Sequence, residues 1–101
     1  MGTTKADIDP VLFGAIQVTY PLSARRLGQE GTARILVEVG ADGSVASVKL
    51  YASSGHPMLD GAALDAVKKA QFLPARKNGR PVAARIVVPV RFRLADRGPA
   101  A

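Results

Sequence analysis

The most restrictive feature of this chain is a strictly alternating run near its C-terminal end with a proline in the middle. Across residues 84–94, Ala84, Ile86, Val88, Val90, Phe92 and Leu94 share one face, and Arg85, Val87, Pro89, Arg91 and Arg93 share the other. Alternation of this length is the signature of a half-buried β-strand. Pro89 has no amide hydrogen to give a ladder, and such a residue is accommodated at a sheet edge or a bulge. The strand is therefore predicted to be an edge, with its outward flank open for pairing. An open flank is either a place where a partner adds a strand or an edge that proline and charge protect from aggregation. The pattern alone leaves both standing.

Two further segments alternate. In residues 32–39, Ala33, Ile35, Val37 and Val39 oppose Thr32, Arg34, Leu36 and Glu38. Gly40-Ala41-Asp42-Gly43 then supplies hairpin turn chemistry. Residues 45–53 return with Val48, Leu50 and Ala52 on one face, and Val45 breaks the alternation, which predicts a bulge just after the turn. Residues 57–71 read as a helix opened by Pro57, with an apolar stripe of Leu59, Ala62, Ala63, Ala66, Val67 and Ala70. Asp60, Asp65 and Lys68 fall opposite that stripe. A shorter helix over residues 21–27 begins with Pro21 and stops at Gly28. Residues 11–19 are a weaker candidate for an extra N-terminal strand.

These elements predict an α+β, two-layer fold. Its three-stranded antiparallel sheet has the order 2-1-3, with both helices packed on one face and the other face solvated and basic. The folded unit is expected over residues 10–94, between a flexible leader (1–9) and a flexible tail (95–101).

Composition removes much of the chemistry. With no cysteine and one histidine, disulfide frameworks, thiol catalysis and zinc ribbons are excluded. No catalytic constellation is visible: His56 follows Ser53-Ser54-Gly55, but no acid is placed to orient its ring, so these residues read as turn and capping groups. No metal, cofactor or enzymatic activity is expected. The net charge of +6 admits acidic partners, phosphates or polyanions. The cluster Arg76-Lys77-Asn78-Gly79-Arg80, with Arg85, Arg91 and Arg93, would suit a small basic nucleic-acid-binding module, and equally a merely solvated sheet face. Gly28-Gln29-Glu30-Gly31 has the spacing of an RNA-binding GxxG loop, yet it precedes a strand and carries Glu30, which fits a plain turn. The longest uncharged stretch, residues 10–24, holds two prolines and is too short to span a bilayer. The start reads as that of a domain cut from a longer protein.

Taken in order, Tyr20-Pro21, Ala24, Glu30-Gly31, Asp42-Gly43, Ser53-Ser54-Gly55, Leu59-Asp60 with Ala63, Phe72-Leu73-Pro74-Ala75 and Val90-Arg91-Phe92 resemble the C-terminal domain of the TonB family, from Gln17 to Leu94. The resemblance implies a non-catalytic periplasmic domain, anchored to the inner membrane by a segment preceding this chain. It implies an ExbB/ExbD-type inner-membrane motor as one partner and, as another, the Ton box of outer-membrane receptors that import iron-siderophores, haem or cobalamin. Nucleic acid is not an expected partner, and a homodimer is a further option. Carried over by position, the Ton box would be held by strand addition along the last strand, at Arg85, Val87, Val88, Pro89, Arg91 and Arg93, with help from Gln17. One departure stands out: the family often has a tryptophan two residues before the Phe72-type aromatic, and here that residue is Ala70.

Overall fold

The computed structural model describes residues 8–94. The expected leader and tail lie outside the described residues, apart from Ile8 and Asp9. Ile8 is paired: it exchanges backbone hydrogen bonds of 3.1 and 3.0 Å with Arg76.

In chain order the elements are β1 (Val11–Phe13), α1 (Leu22–Arg26), β2 (Gly31–Val39), β3 (Val45–Ala52), α2 (Pro57–Lys68), β4 (Gln71–Leu73), β5 (Ala75–Lys77), β6 (Arg80–Val82) and β7 (Ala84–Phe92). The central sheet is antiparallel with the order β3-β2-β7, the predicted 2-1-3 arrangement. Alternation sets its buried face. Ala33, Ile35, Val37 and Val39 of β2 and Val88, Val90 and Phe92 of β7 meet Leu59, Ala63 and Val67 of α2 in one core, with Ala24 of α1 and Phe72 of β4. The fold is α+β, with the helices on one side of the sheet.

The β2–β3 hairpin shows the predicted irregularity. Val39 pairs with Val45 but Glu38 with Ser47, so Ala46 is an extra residue; a second shift leaves Tyr51 extra between Leu50 and Ala52. An extra residue bends the strand and re-aims its side chains, and so Leu50 and Tyr51 are both exposed. At the turn, Gly43 has φ +87° and lies so close to Phe72 that any Cβ would strike the Phe72 carbonyl oxygen. Phe72 N–H in turn donates to Gly43 O at 3.1 Å. The turn thus needs glycine both for its backbone conformation and for this approach.

The extra strand expected in residues 11–19 is present as β1, over Val11–Phe13 alone, whereas β4, β5 and β6 are additions to the expected elements. β1 pairs with β4, which ends α2 at Lys68 rather than at residue 71. β5 and β6 form a hairpin around Asn78-Gly79, both at positive φ. In α1, Pro21 caps the helix from outside instead of occupying its first turn.

Candidate functional site

The edge position predicted for the last strand is where the structure places it. β7 pairs with β2 over its whole length, from Gly31↔Phe92 to Val39↔Ala84. Among the described residues no strand pairs with its other side. Backbone direction along β7 follows from hydrogen bonds at the two ends of the sheet. Gly40 N–H donates to Ser44 O at 2.8 Å across the hairpin. Even-numbered residues of β2 therefore address β3, and its odd-numbered residues address β7. Those odd residues, Ile35, Val37 and Val39, stand opposite Val88, Ile86 and Ala84. At the other end Leu94, also even, donates its N–H to Glu30 Oε2 at 2.9 Å, beside the start of β2.

The outward backbone groups of β7 thus belong to Arg85, Val87, Pro89 and Arg91. Pro89 costs the sheet no bond, because its nitrogen takes the place of an outward amide. A guest strand would find N–H and C=O at Arg85, Val87 and Arg91, and a carbonyl alone at Pro89. The side chains of these residues lie on the solvated face. There Arg85 Nε bridges Glu38 Oε2 at 3.3 Å, and Ser47 Oγ donates to Glu38 Oε1 at 2.9 Å. Val87 stands beside Leu36, Pro89 beside Arg34 and Arg91 beside Thr32.

The sequence-predicted set is not one cluster. Arg85, Val87, Pro89 and Arg91 form the outward row, which Arg93 continues just past the end of β7. Val88 is only 8% exposed, belongs to the core and turns its amide toward Ile35, so neither its side chain nor its amide is offered to a guest. Gln17 groups with α2 instead. It lines a groove of about 420 Å³ with Thr19, Pro57, Met58, Gly61 and Asp65. The basic run at residues 76–80 is a separate hairpin, in which Arg76 Nη1 donates to Gly79 O at 3.0 Å.

The chain entering α1 is fixed to the C-terminal end of β7 by Tyr20. Its ring meets Phe92 edge-to-face at 5.3 Å, its hydroxyl donates to Gln29 O, and the Arg25 guanidinium lies 5.8 Å from its centroid. Burial and the Glu30 carboxylate push the phenol up, partly offset by Arg25. Tyr20→Phe keeps the ring contact and removes the hydroxyl bond. The expected result is a fall in Tm of a few degrees with an unchanged far-ultraviolet spectrum; an unchanged Tm would mean that the Gln29 carbonyl does equally well with water.

The residue that sequence reasoning misplaced is Asp60. Expected on the solvent side of α2, it is buried at 8% exposure. Its carboxylate accepts from Ser54 N–H at 2.8 Å, Ser54 Oγ at 2.7 Å and Ser53 Oγ at 2.5 Å. It therefore ties the end of β3 to the first turn of α2. Ser53-Ser54-Gly55-His56 is this junction.

The profile of the Gram-negative bacterial TonB protein C-terminal family matches residues 16–94. The chain is 42% identical over 86 residues to the protein TonB of Vibrio cholerae serotype O1, covering 84% of this chain and 35% of that protein. It is 40% identical over 75 residues to the protein tonB2 of Pseudomonas aeruginosa, covering 74% and 28%. In structure it is similar to the Pseudomonas aeruginosa TonB CTD, solved by solution NMR, with a TM-score of 0.70 and 25% identity over 90% of this chain and 92% of that one. The Helicobacter pylori TonB-CTD (residues 194–285) follows with a TM-score of 0.59 and 29% identity over 74% and 78%. The fold and these matches define an α+β domain of the TonB C-terminal class. The chain belongs to that family, and it spans about a third of the length of the curated relatives it matches.

Proposed function

We propose that this chain is the non-catalytic, periplasmic end of a TonB-type energy transducer, and that it holds the Ton box of outer-membrane receptors by strand addition on β7. The observation that carries the proposal is the outer side of β7, which no strand among the described residues occupies and where Arg85, Val87 and Arg91 present amides and carbonyls that the sheet does not use. Main-chain bonds along such an edge give affinity with little demand on sequence, which suits one transducer serving several receptors. In the whole protein an N-terminal segment would anchor this domain to the inner membrane, beside an ExbB/ExbD-type motor. Pulling on the added strand would carry proton motive force to receptors for iron-siderophores, haem or cobalamin.

The test is titration of the isotope-labelled chain with a synthetic Ton-box peptide, followed by amide NMR. Shifts should concentrate at Arg85, Val87 and Arg91. Affinity should be weak, on the order of micromolar to millimolar, because a disordered segment is ordered on binding. No shift along β7 at millimolar peptide defeats the proposal. Larger, steeply salt-dependent shifts with an oligonucleotide would favour the nucleic-acid alternative instead.

A further inference from the structure

The two arginines that flank Val87 and Pro89 stand in different electrostatic surroundings. Arg85 faces Glu38 across the sheet and is bridged to it at 3.3 Å. Arg91 faces Thr32, has Arg34 in the neighbouring row, and meets no carboxylate opposite it in the register. One end of the edge is neutralised and the other is cationic. Between them Val87, 37% exposed, lies beside Leu36 as an apolar spot on a polar face.

A strand added to β7 sets one of its residues opposite each outward residue, and alternate guest side chains share the solvated face. Resting on the strand-addition reading, we infer that this edge selects the register of its guest: an acidic side chain opposite Arg91 and an apolar one opposite Val87, four positions apart. Pro89 lies midway and frames the choice. In either direction of the guest, the Pro89 carbonyl accepts one guest N–H and no amide is returned there. A slip of one residue turns the selected side chains to the other face of the sheet. A slip of two toward Glu38 sets the acid over Pro89 and the apolar group over the Arg85–Glu38 pair. A slip of two the other way sets the acid beside Arg93, past the end of β7 where the paired edge has stopped, and uncovers Val87.

The experiment uses the 101-residue chain and Ser/Thr peptides of about twelve residues. Each peptide carries one Leu and one Asp at a spacing of two, four or six, in both orders. Affinities come from amide titrations along β7. The spacing of four, in one of its two orders, should bind about threefold tighter than the others, and high salt should shrink that advantage. Arg91→Gln should bring this peptide down to the level of the rest. Arg91→Glu should shift the preference to the same peptide with Lys in place of Asp. Peptides that all shift β7 with equal affinity overturn the register inference and leave strand addition intact. No shift along β7 with any peptide overturns both.

Discussion

Proline at position 87 should sharply weaken peptide capture by a folded domain, and proline one residue later should instead strongly destabilise the domain itself. Both changes fall in the middle of β7, and both remove one amide hydrogen. The difference is direction. The Val87 amide points out of the sheet, so Val87→Pro breaks no ladder bond and its side chain leaves no cavity. With Pro89 already lacking a hydrogen, the variant keeps outward amides only at Arg85 and Arg91, too far apart to hold one continuous guest strand. Each guest carbonyl left without a donor forfeits about 1 kcal/mol or more, so affinity should fall by about tenfold or beyond. Val88 is in the core and addresses Ile35. Val88→Pro removes a central ladder bond and forces a ring against β2, at about 3 kcal/mol or more. That is a large share of the stability of a domain this small. Thermal melts and peptide titrations on both variants check the pair. A folded Val87→Pro that still captures peptide would contradict strand addition, and a Val88→Pro that melts like the parent would contradict the assigned direction of the backbone.

This contrast shows how far the sequence could be read. Alternation over residues 84–94 identified the strand and its buried face, and Pro89 identified it as an edge. Alternation does not say which residues aim their amides outward, because side-chain face and amide direction share the same period of two. The phase is carried by Pro89, whose nitrogen an edge strand turns outward, and the hairpin bond from Gly40 to Ser44 gives the same phase, with Val87 outward and Val88 inward. The added strands were hidden for other reasons. β4 exposes Gln71 and Leu73 and is only three residues long, so no apolar alternation marks it, and its pairing with β1 joins distant chain segments. The β5–β6 hairpin does carry a local signal, the Asn78-Gly79 pair, but the cations around it give the same segment the pattern of a basic surface cluster. For Asp60, helical periodicity placed a carboxylate away from the apolar stripe. It could not show that the end of β3 folds back over that part of α2.

Removing the Asp60 carboxylate should cost the domain about 2–3 kcal/mol at neutral pH, or roughly 10 °C or more in Tm. Three donors converge on this group: both hydroxyls of Ser53 and Ser54 and the Ser54 amide. The hydroxyls also accept in turn, Ser53 Oγ from Gly55 N–H at 2.9 Å and Ser54 Oγ from His56 N–H at 3.2 Å. Asp60→Ala therefore unties the turn as well as the helix. Burial pushes the Asp60 carboxyl up, but the hydrogen bonds from Ser53 and Ser54 and the neighbouring His56 outweigh it and hold the group below its ordinary 3.8. Because the folded value lies below the unfolded one, the carboxylate's contribution is complete above the unfolded value and disappears as pH falls through the folded one. The gap in unfolding free energy between the parent and Asp60→Ala should thus be full at neutral pH and narrow below about pH 4. Asp60→Asn, which keeps the shape and one acceptor but not the charge, should lose less at neutral pH. Urea titrations from neutral pH to about pH 2 give all three curves. A parent-to-Ala gap that stays constant down the whole range would mean that packing around position 60, and not its charge, joins β3 to α2.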